Sequence, residues 1–552
     1  MTKSRPLLIV VITLCMLFAA LTAFWIALLP QRMLGQISEL MLREQGLTLE
    51  AKKPRLRFDG DLVLRLEAVT LTDGKDNVTA LTARDMTLDV GIASLFGGGV
   101  TAKTLTLNAP IVNIEVSGHA TTLSLPARRV ILREGVVKLR DATRKSVVAL
   151  ADVNGQISMG ESAKLDVSFI LNGAVTTLAA EVESATRLLA EGSPADISLS
   201  AKNQIISFSG RARYSSGVEL DGQITLEGSD AAGFFNWIGM PLRLLEDIGP
   251  IALTSGVSTN GLSATLNNVD AKTGAQNVKG NANVQAGPDR MKLTADLAMA
   301  GLNVLSKTSL LAAPWSEKPF DLSDLTAVDA DVKFKVEHLS LRGLDQGPSD
   351  VAVTSTDGKT NIDVSLAATK FHVALVPKSK MIQLDATLDA KLVDAKTLLA
   401  GLLGFDRLSG PVNLLAKVSA EGANPAALIS TLKGNIHLDG QKLSLSGIDL
   451  RSLIATPHEG WQANDTAKTA RFDMSFETQI YDGVAALQKA EIALPDATLK
   501  AKGEIDFLRQ AFSVSFAPKG KVQSLKGTWV RPLFAADAGI APALRPVTAP
   551  AN

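Results

Sequence analysis

The sequence predicts a mainly β protein, with an N-terminal transmembrane helix followed by a long series of antiparallel strands and a few short helices. Three observations support this fold class. Residues 7–29 contain no charged side chain. Beyond residue 50, apolar and polar residues alternate again and again with period two, which is typical of strands with one buried face. Gly, Asn-Gly and Asp-Gly steps separate these runs and supply positive-φ turns between antiparallel neighbours.

The first element is the uncharged stretch 7–29. At about 1.5 Å per residue it covers about 35 Å, enough to cross a hydrocarbon core of about 30 Å. A cleaved signal peptide would have a shorter apolar core, and the best cleavage site, Ala20-Leu21-Thr22, is followed by more apolar residues, so an uncleaved anchor is favoured. The predicted membrane-spanning residues include Leu7, Leu8, Ile9, Val10, Leu14, Leu17, Phe18, Leu21, Phe24, Trp25 and Leu29.

Charges around the span predict its orientation. Lys3 and Arg5 precede the span, whereas Arg32 and Arg43 follow it together with two glutamates. The positive-inside bias is slight and indicates an N-terminus inside and the bulk of the chain outside. Just after the span, apolar residues recur at helical spacing, namely Met33, Leu34, Ile37, Leu40 and Met41. This pattern fits either an amphipathic helix at the bilayer surface or a helix packed on its own domain.

The strands that follow have one aliphatic face and one face of Ser, Thr, Asp, Lys or Asn. The apolar residues of the clearest runs are the candidate lining of a groove: Leu62, Leu64, Leu66, Leu105, Leu107, Leu165, Val167, Phe169, Val332, Phe334, Val336, Ile362, Val364, Leu366, Ile436, Leu438, Phe512, Val514 and Phe516. Predicted turns lie at Asp59-Gly60, Asp73-Gly74, Asn154-Gly155, Asn172-Gly173, Asp221-Gly222, Asp439-Gly440 and Asp482-Gly483. Many short strands in meanders are therefore expected.

Four helices are predicted between the strands. They cover 229–245 with Ser229 as the cap, 302–311, 394–403 with Asp394 as the cap, and 424–432 with Asn424 as the cap and Pro425 first in the helix. Two of them belong to an internal repeat. Gly249-Pro250-Ile251-Ala252-Leu253 follows the first, and Gly410-Pro411-Val412-Asn413-Leu414 follows the third. Repetition of a strand-rich unit predicts an elongated architecture.

The predicted segments are an anchor at 1–30, an N-terminal β region at 31–228, a middle β-groove repeat at 229–391, a C-terminal β-groove repeat at 392–534 and a disordered Ala/Pro tail at 535–552. The helices are too few to cover the apolar sheet faces. Either two sheets pack face to face as a sandwich, or a sheet curls and leaves an aliphatic trough open. The residues alone leave both arrangements open.

Composition limits the classes of function. Lys+Arg and Asp+Glu are both 56 in 552 residues, and this balance argues against nucleic-acid binding. One cysteine excludes a disulfide framework, and five scattered histidines argue against a metal centre. No P-loop, HExxH or GxSxG motif is present in the sequence. We therefore expect no catalytic residues, no cofactor and no metal.

Several segments, taken in order, resemble the AsmA family of envelope proteins. They are the anchor, then LVLRLEAVTLTD at 62–73, ARDMTLDV at 83–90, LTLNAPIV at 105–112, WSEKPFDLS at 315–323, LKGNIHLDG at 432–440 and GTWVRP at 527–532. No single motif is decisive, but the order is specific and covers nearly the full chain.

The resemblance implies an inner-membrane protein of a Gram-negative cell with its bulk in the periplasm. It also implies an elongated, bent antiparallel sheet whose apolar groove moves phospholipid toward the outer membrane and supports outer-membrane integrity. The implied partners are phospholipid, the inner membrane and other envelope proteins. A different class stays open, a non-enzymatic assembly or adaptor protein that affects outer-membrane protein biogenesis and carries no lipid. Transport requires an accessible apolar face, whereas an adaptor could seal it.

Overall fold

The computed structural model is mainly β and divides into two compact units, Met1–Gly274 and Ala275–Asn552. The predicted transmembrane residues 7–29 lie outside the described residues. Within the part of the chain that is described, no helix is both long and apolar enough to cross a membrane. The structure describes residues 30–31, 33–39, 42, 47–59, 61–73, 79–90, 102–115, 127–141, 146–215, 217–240, 249–274, 276–287, 290–304, 315–320, 328–403, 405–451, 461–462, 466–516, 523–528 and 532–536.

The first unit is a sheet in which almost every strand pairs antiparallel with the next. The exception is β3, which pairs with both β4 and β5, and these two short strands pair in parallel with β6. Its elements are helical residues 33–39 (α1), β1 (Leu47–Asp59), β2 (Asp61–Asp73), β3 (Thr79–Val90), β4 (Ala102–Asn108), β5 (Ile111–Glu115), β6 (Ala127–Asp141), β7 (Ser146–Met159), β8 (Ala163–Leu171), β9 (Ala174–Val182), α2 (Ala185–Ala190), β10 (Ser193–Ala201), β11 (Gln204–Tyr214), β12 (Val218–Gly228), α3 (Ala231–Trp237), β13 (Ile251–Asn260) and β14 (Ser263–Thr273).

The second unit is also an antiparallel meander, and among its described strands one pair, β16 with β17, is parallel. Its elements are β15 (Gln276–Ala286), β16 (Met291–Val304), β17 (Val328–Leu341), β18 (Leu344–Asp345), β19 (Ser349–Thr356), β20 (Lys359–Leu366), β21 (Thr369–Lys378), β22 (Met381–Asp394), α4 (Ala395–Leu403), β23 (Leu408–Ser409), β24 (Pro411–Gly422), α5 (Pro425–Ser430), β25 (Lys433–Ser446), β26 (Trp461–Gln462), β27 (Lys468–Tyr481), β28 (Val484–Leu494), β29 (Ala497–Asp506), β30 (Ala511–Phe516), β31 (Gln523–Thr528) and β32 (Pro532–Ala536). The mainly β, antiparallel prediction is confirmed for both units.

Helix α1 packs on its own unit. Met33 and Ile37 are 2% and 1% exposed, and they lie in one core cluster with Leu64, Leu66 and Leu105 of the sheet. Ser38 Oγ donates to the Leu49 carbonyl at 3.3 Å. Of the two arrangements considered for this segment, the structure shows the helix packed on its own domain. The other two residues of the pattern, at 40 and 41, lie outside the described residues.

Two predicted helices are confirmed and two need correction. Helices α4 and α5 start after the predicted caps, Asp394 and Asn424. Helix α3 is shorter than predicted, and its cap is Asp230 instead of Ser229, because the Asp230 carboxylate accepts the backbone N–H of Gly233. The helix predicted at 302–311 is wrong over 302–304, since these residues end β16 and pair in parallel with 339–341 of β17. Residues 305–311 lie outside the described part.

Not every predicted turn is a turn. Asn172-Gly173 and Asp482-Gly483 are turns with positive φ at both residues. By contrast, Asn154-Gly155, Asp221-Gly222 and Asp439-Gly440 lie inside strands β7, β12 and β25, so these three predictions are wrong. A close approach between backbones explains the glycine at 222, because a Cβ there would stand 2.6 Å from the Cα of Gly210 on the neighbouring strand.

The internal repeat has a structural counterpart. In each unit, a helix with an Asp cap is inserted between two antiparallel strands, β12 and β13 in the first unit and β22 and β24 in the second. The backbone N–H of Ala231 donates to the Gly249 carbonyl at 3.1 Å, and the N–H of Ala395 donates to the Gly410 carbonyl at 2.8 Å. The glycine of the Gly-Pro step thus accepts a bond from the first helical residue in both copies.

Candidate functional site

The candidate site of the first unit is its apolar sheet face, on which the strand register aligns the side chains in rows. Directly paired residues share a face, so the partners can be followed from strand to strand. Row 1 crosses eleven strands through Leu56, Leu64, Leu88, Leu105, Val130, Ile157, Leu165, Ala180, Ile197, Phe208 and Ile224. Row 2 crosses twelve strands through Leu66, Met86, Leu107, Leu132, Gly155, Val167, Leu178, Leu199, Ile206, Leu226, Leu253 and Ala271.

The second unit has two equivalent rows. Row 3 crosses twelve strands through Leu297, Phe334, Val351, Val364, Phe371, Leu388, Ala416, Ile436, Thr478, Leu487, Gly503 and Val514. Row 4 crosses thirteen strands through Ala282, Ala295, Val332, Val353, Ile362, Val373, Ala386, Val418, Gly434, Ile480, Ala485, Ile505 and Phe512. At about 4.8 Å between strands, row 4 is about 58 Å long.

Two hydroxyl groups in or beside these rows donate hydrogen bonds within the sheet. Thr478, in row 3, donates from Oγ1 to the Ala486 carbonyl at 2.8 Å. Ser255, which follows Ile224 at the end of row 1, donates to the Asn267 carbonyl at 2.9 Å. Ser349 lies on the same face opposite Val336, and its Oγ has no hydrogen-bond partner among the described residues. The rows are therefore apolar, with mostly aliphatic side chains and the phenylalanines at 208, 334, 371 and 512.

Accessibility differs along the first unit. Leu64, Leu66, Leu105 and Leu107 are at most 1% exposed, because they belong to the core cluster that α1 covers. These four predicted groove residues lie on the predicted face but are sealed. Further along the chain, row 2 residues from Leu178 to Leu253 are half-buried. The apolar face therefore becomes accessible beyond the part that α1 covers.

The second unit keeps the middle of its apolar face accessible. Phe334, Val353, Ile362, Val364 and Val373 are all half-buried. A second sheet packed on this face would enclose such side chains as a sandwich core does. The open arrangement therefore describes this stretch better than the sandwich does.

Other predicted lining residues occupy the same faces as the rows. Leu165, Ile436, Val514 and Phe516 are half-buried, whereas Val332 and Leu438 are buried. The remaining members are Leu62, beside row 1; Val167 and Phe169, in a small cluster with Val153; and Val336 and Leu366, in a cluster with Val351. The sequence placed every one of these residues on the apolar side. It could not show which of them a helix covers.

Helices α3 and α4 close parts of the apolar faces near strand ends. In the first unit, Phe234 and Trp237 are buried, and Trp237 Nε1 donates to Thr176 Oγ1 of β9 at 2.9 Å. In the second unit, Ala395, Leu398 and Leu399 pack in a cluster with Leu388 and Val412. These contacts fix both helices to the sheet. The sequence did not reveal these contacts, because they join residues that are far apart in the chain.

The opposite face of each sheet is polar and carries the charges. Lys53 pairs with Glu67 at 3.1 Å, and this hydrogen bond holds the pKa of the Glu67 carboxyl below its usual range. His372 contacts Asp363 of the neighbouring strand at 2.7 Å, and His437 contacts Asp439.

A shallow depression of about 560 Å³ on this face of the first unit is lined by Ser198, Ser207, Thr225 and their neighbours. Among the described residues, no three His, Cys, Asp or Glu side chains are placed to hold a metal ion.

These features define a class of β protein in which long rows of apolar side chains cross many strands and stay partly open to solvent. The model of the AsmA family matches residues 305–490. This match supports the AsmA resemblance over that range, which includes β17 to β27. No curated protein is significantly similar to the chain.

Proposed function

We propose that this protein carries phospholipid between the inner and outer membranes of a Gram-negative envelope along its apolar sheet faces, and so supports outer-membrane biogenesis. The observation that carries the proposal is the continuity of rows 3 and 4 together with the half-buried state of their central residues. Exposing one methylene to water costs about 0.8 kcal/mol. A continuous aliphatic row removes much of that cost for an acyl chain, while the head group stays in water at the strand ends.

The proposal includes a location and a chemical role. Residues 7–29 anchor the chain in the inner membrane, and the bulk of the chain lies in the periplasm. The protein is not an enzyme, since carrying a lipid breaks no bond and needs no catalytic group. Net movement then requires a driving force from elsewhere.

The competing function is that of an envelope assembly or adaptor protein that carries no lipid. The sealed start of the first apolar face favours it, because α1 removes Leu64 and Leu66 from any ligand. The two functions differ in what touches the accessible stretch of the second unit. Lipid must contact those side chains during transport, whereas in an adaptor they contact no lipid.

Photo-crosslinking in living cells tests the proposal on the full chain. A benzophenone amino acid is placed at Phe334 or Phe371, both in row 3, and the matched controls carry it at Lys335 or His372, on the polar face of the same strands. We expect phospholipid adducts from the two row positions and few from the controls. Equal adduct yields from both faces, or adducts with protein alone, would refute lipid transport and favour the adaptor.

A further inference from the structure

A stripe of cations marks the polar face of β6. Arg129, Arg133, Lys138 and Arg140 are all exposed and alternate with the apolar-face residues of the strand. Their aligned neighbours are mostly neutral: Ser158 is opposite Arg129, Asn108 is beside Arg133, and Ala149 is opposite Lys138. Glu115 of β5 is aligned with Arg140. At about 3.3 Å per residue, the stripe extends over about 35 Å.

One of the two acids on β6 pairs with a cation of another strand. Glu134 pairs with Arg84 at 3.6 Å. Segment 127–141 contains five Lys and Arg residues against two acids, although the whole chain has equal numbers of each. The positive charge is thus local, and it can attract an anionic partner that the neutral chain as a whole would not.

An aliphatic patch lies next to this stripe on the same face. Val147 is directly opposite Arg140, and Ala151, Ile170 and Val175 continue the patch across β7, β8 and β9. Val147 is 56% exposed and Val175 is 71% exposed. Most other side chains on this face are polar, although Val63, Ile131 and Val136 also lie there, so the patch is a local enrichment of exposed aliphatic side chains.

Together the stripe and the patch have the chemistry of a surface that contacts an anionic bilayer. Cations are drawn to acidic head groups, and adjacent exposed aliphatic side chains enter the boundary between head groups and acyl chains. An acidic protein would satisfy the cations but would leave the aliphatic patch without a matching environment. We propose that the β6 stripe and the Val147–Val175 patch form a docking surface for an anionic phospholipid membrane. This inference is independent of lipid transport, because it uses the face opposite the apolar rows.

A fluorescence experiment on the full chain tests this surface. The protein carries Cys15→Ser and Val175→Cys, is labelled at 175 with an environment-sensitive nitrobenzoxadiazole dye, and is held in phosphatidylcholine nanodiscs. It is titrated with vesicles of phosphatidylcholine alone or with an equal part of phosphatidylglycerol. We expect a blue shift and brighter emission only with phosphatidylglycerol, reversed by high salt. A label at Leu262→Cys, which is also exposed but lies in the turn between β13 and β14, should not respond.

Neutralising cations separates electrostatic docking from nonspecific adsorption. Arg133→Gln with Lys138→Gln is expected to raise the vesicle concentration at half-saturation about thirtyfold. Lys333→Gln with Lys335→Gln removes two exposed cations from β17 of the other unit and should change it little. Equal binding to neutral vesicles, no response at 175, or equal effects of the two double variants would overturn the proposal. Capture of a protein without lipid by a crosslinker at 175 in cells would also overturn it.

Discussion

If lipid moves along rows 3 and 4, charged side chains placed in both rows should interrupt the movement of lipid along the apolar face of the second unit. Ile362 in row 4 and Val364 in row 3 lie on β20, and both are half-buried. We expect Ile362→Asp with Val364→Asp to interrupt both rows at once. The matched control is Asn361→Asp with Ser365→Asp, which adds the same charge to the polar face of the same strand.

The size of the effect follows from the register. Row 4 loses its apolar surface between Val353 and Val373, two strand spacings or about 10 Å apart. With C–C bonds of about 1.5 Å and bond angles of about 111°, an extended acyl chain advances about 1.25 Å per methylene, so about eight methylenes cover that distance. Exposing all of them would cost up to about 6 kcal/mol. If neighbouring side chains retain half of the contact, passage still slows about a hundredfold.

The assay uses photo-crosslinking probes on either side of the interruption, at Phe334 on β17 and at Phe512 on β30, in cells that express the full chain. Lipid adducts should persist at one probe and fall strongly at the other, and the side that falls reports the direction of movement. The control variant should keep both adducts.

Folding must be checked before this result is read, because two new carboxylates in a half-buried face also destabilise the sheet. Far-UV circular dichroism and the unfolding midpoint supply that check, and the single variant Val373→Asp provides a milder interruption in row 4. Unchanged adducts at both probes in a folded double variant would refute the reasoning that lipid follows the rows.

Three further predictions concern stability. Asp394→Ala should cost about 1 kcal/mol in urea unfolding at neutral pH, because the carboxylate caps α4. Burial raises the pKa of Asp394, but backbone hydrogen bonds from Gly410 and Thr397 outweigh it and keep the pKa below its usual range. The contribution is therefore complete above the unfolded value of about 3.9 and is lost as the pH falls through the folded pKa, so wild type and variant should converge below about pH 4. Trp315→Phe removes the 2.8 Å hydrogen bond from Nε1 to the Phe507 carbonyl and should speed hydrogen exchange of the Phe507 backbone amide. The exchange rate of the Trp237 backbone amide should not change and serves as the internal control. Gly222→Ala should lower the unfolding free energy by about 1–3 kcal/mol, because the new Cβ meets the Gly210 backbone, whereas Gly256→Ala, with its nearest neighbour at 3.5 Å, should have little effect.

The sequence predicted side-chain faces better than it predicted connections. Alternation placed Ile362, Val364 and Phe334 on one face correctly, because strand periodicity is a local property of the chain. Local signals also located the caps Asp394 and Asn424. Asp221-Gly222 misled the turn prediction, since a glycine needed for a close approach between strands has the same sequence signature as a glycine needed for a turn. Only the register distinguishes the two.

The parts that could not be predicted depend on distant pairings. Residues 302–304 continue β16 because β17 pairs with them in parallel, and no local pattern encodes that partner. The burial of Leu64 and Leu66 depends on α1, whose apolar spacing fitted two arrangements equally well. The aliphatic patch around Val175 was likewise missed, because its members are brought together by pairing of β6 to β9.

The register rule of the rows also sets how such a chain can change its length. Inserting a whole hairpin adds two members to each row and lengthens it by about 10 Å, and no existing side chain changes face. Inserting one residue within a strand reverses every later side chain of that strand and opens the row to water. The length of the rows can therefore change in steps of one hairpin, that is two strands, and the apolar face that is already present stays the same.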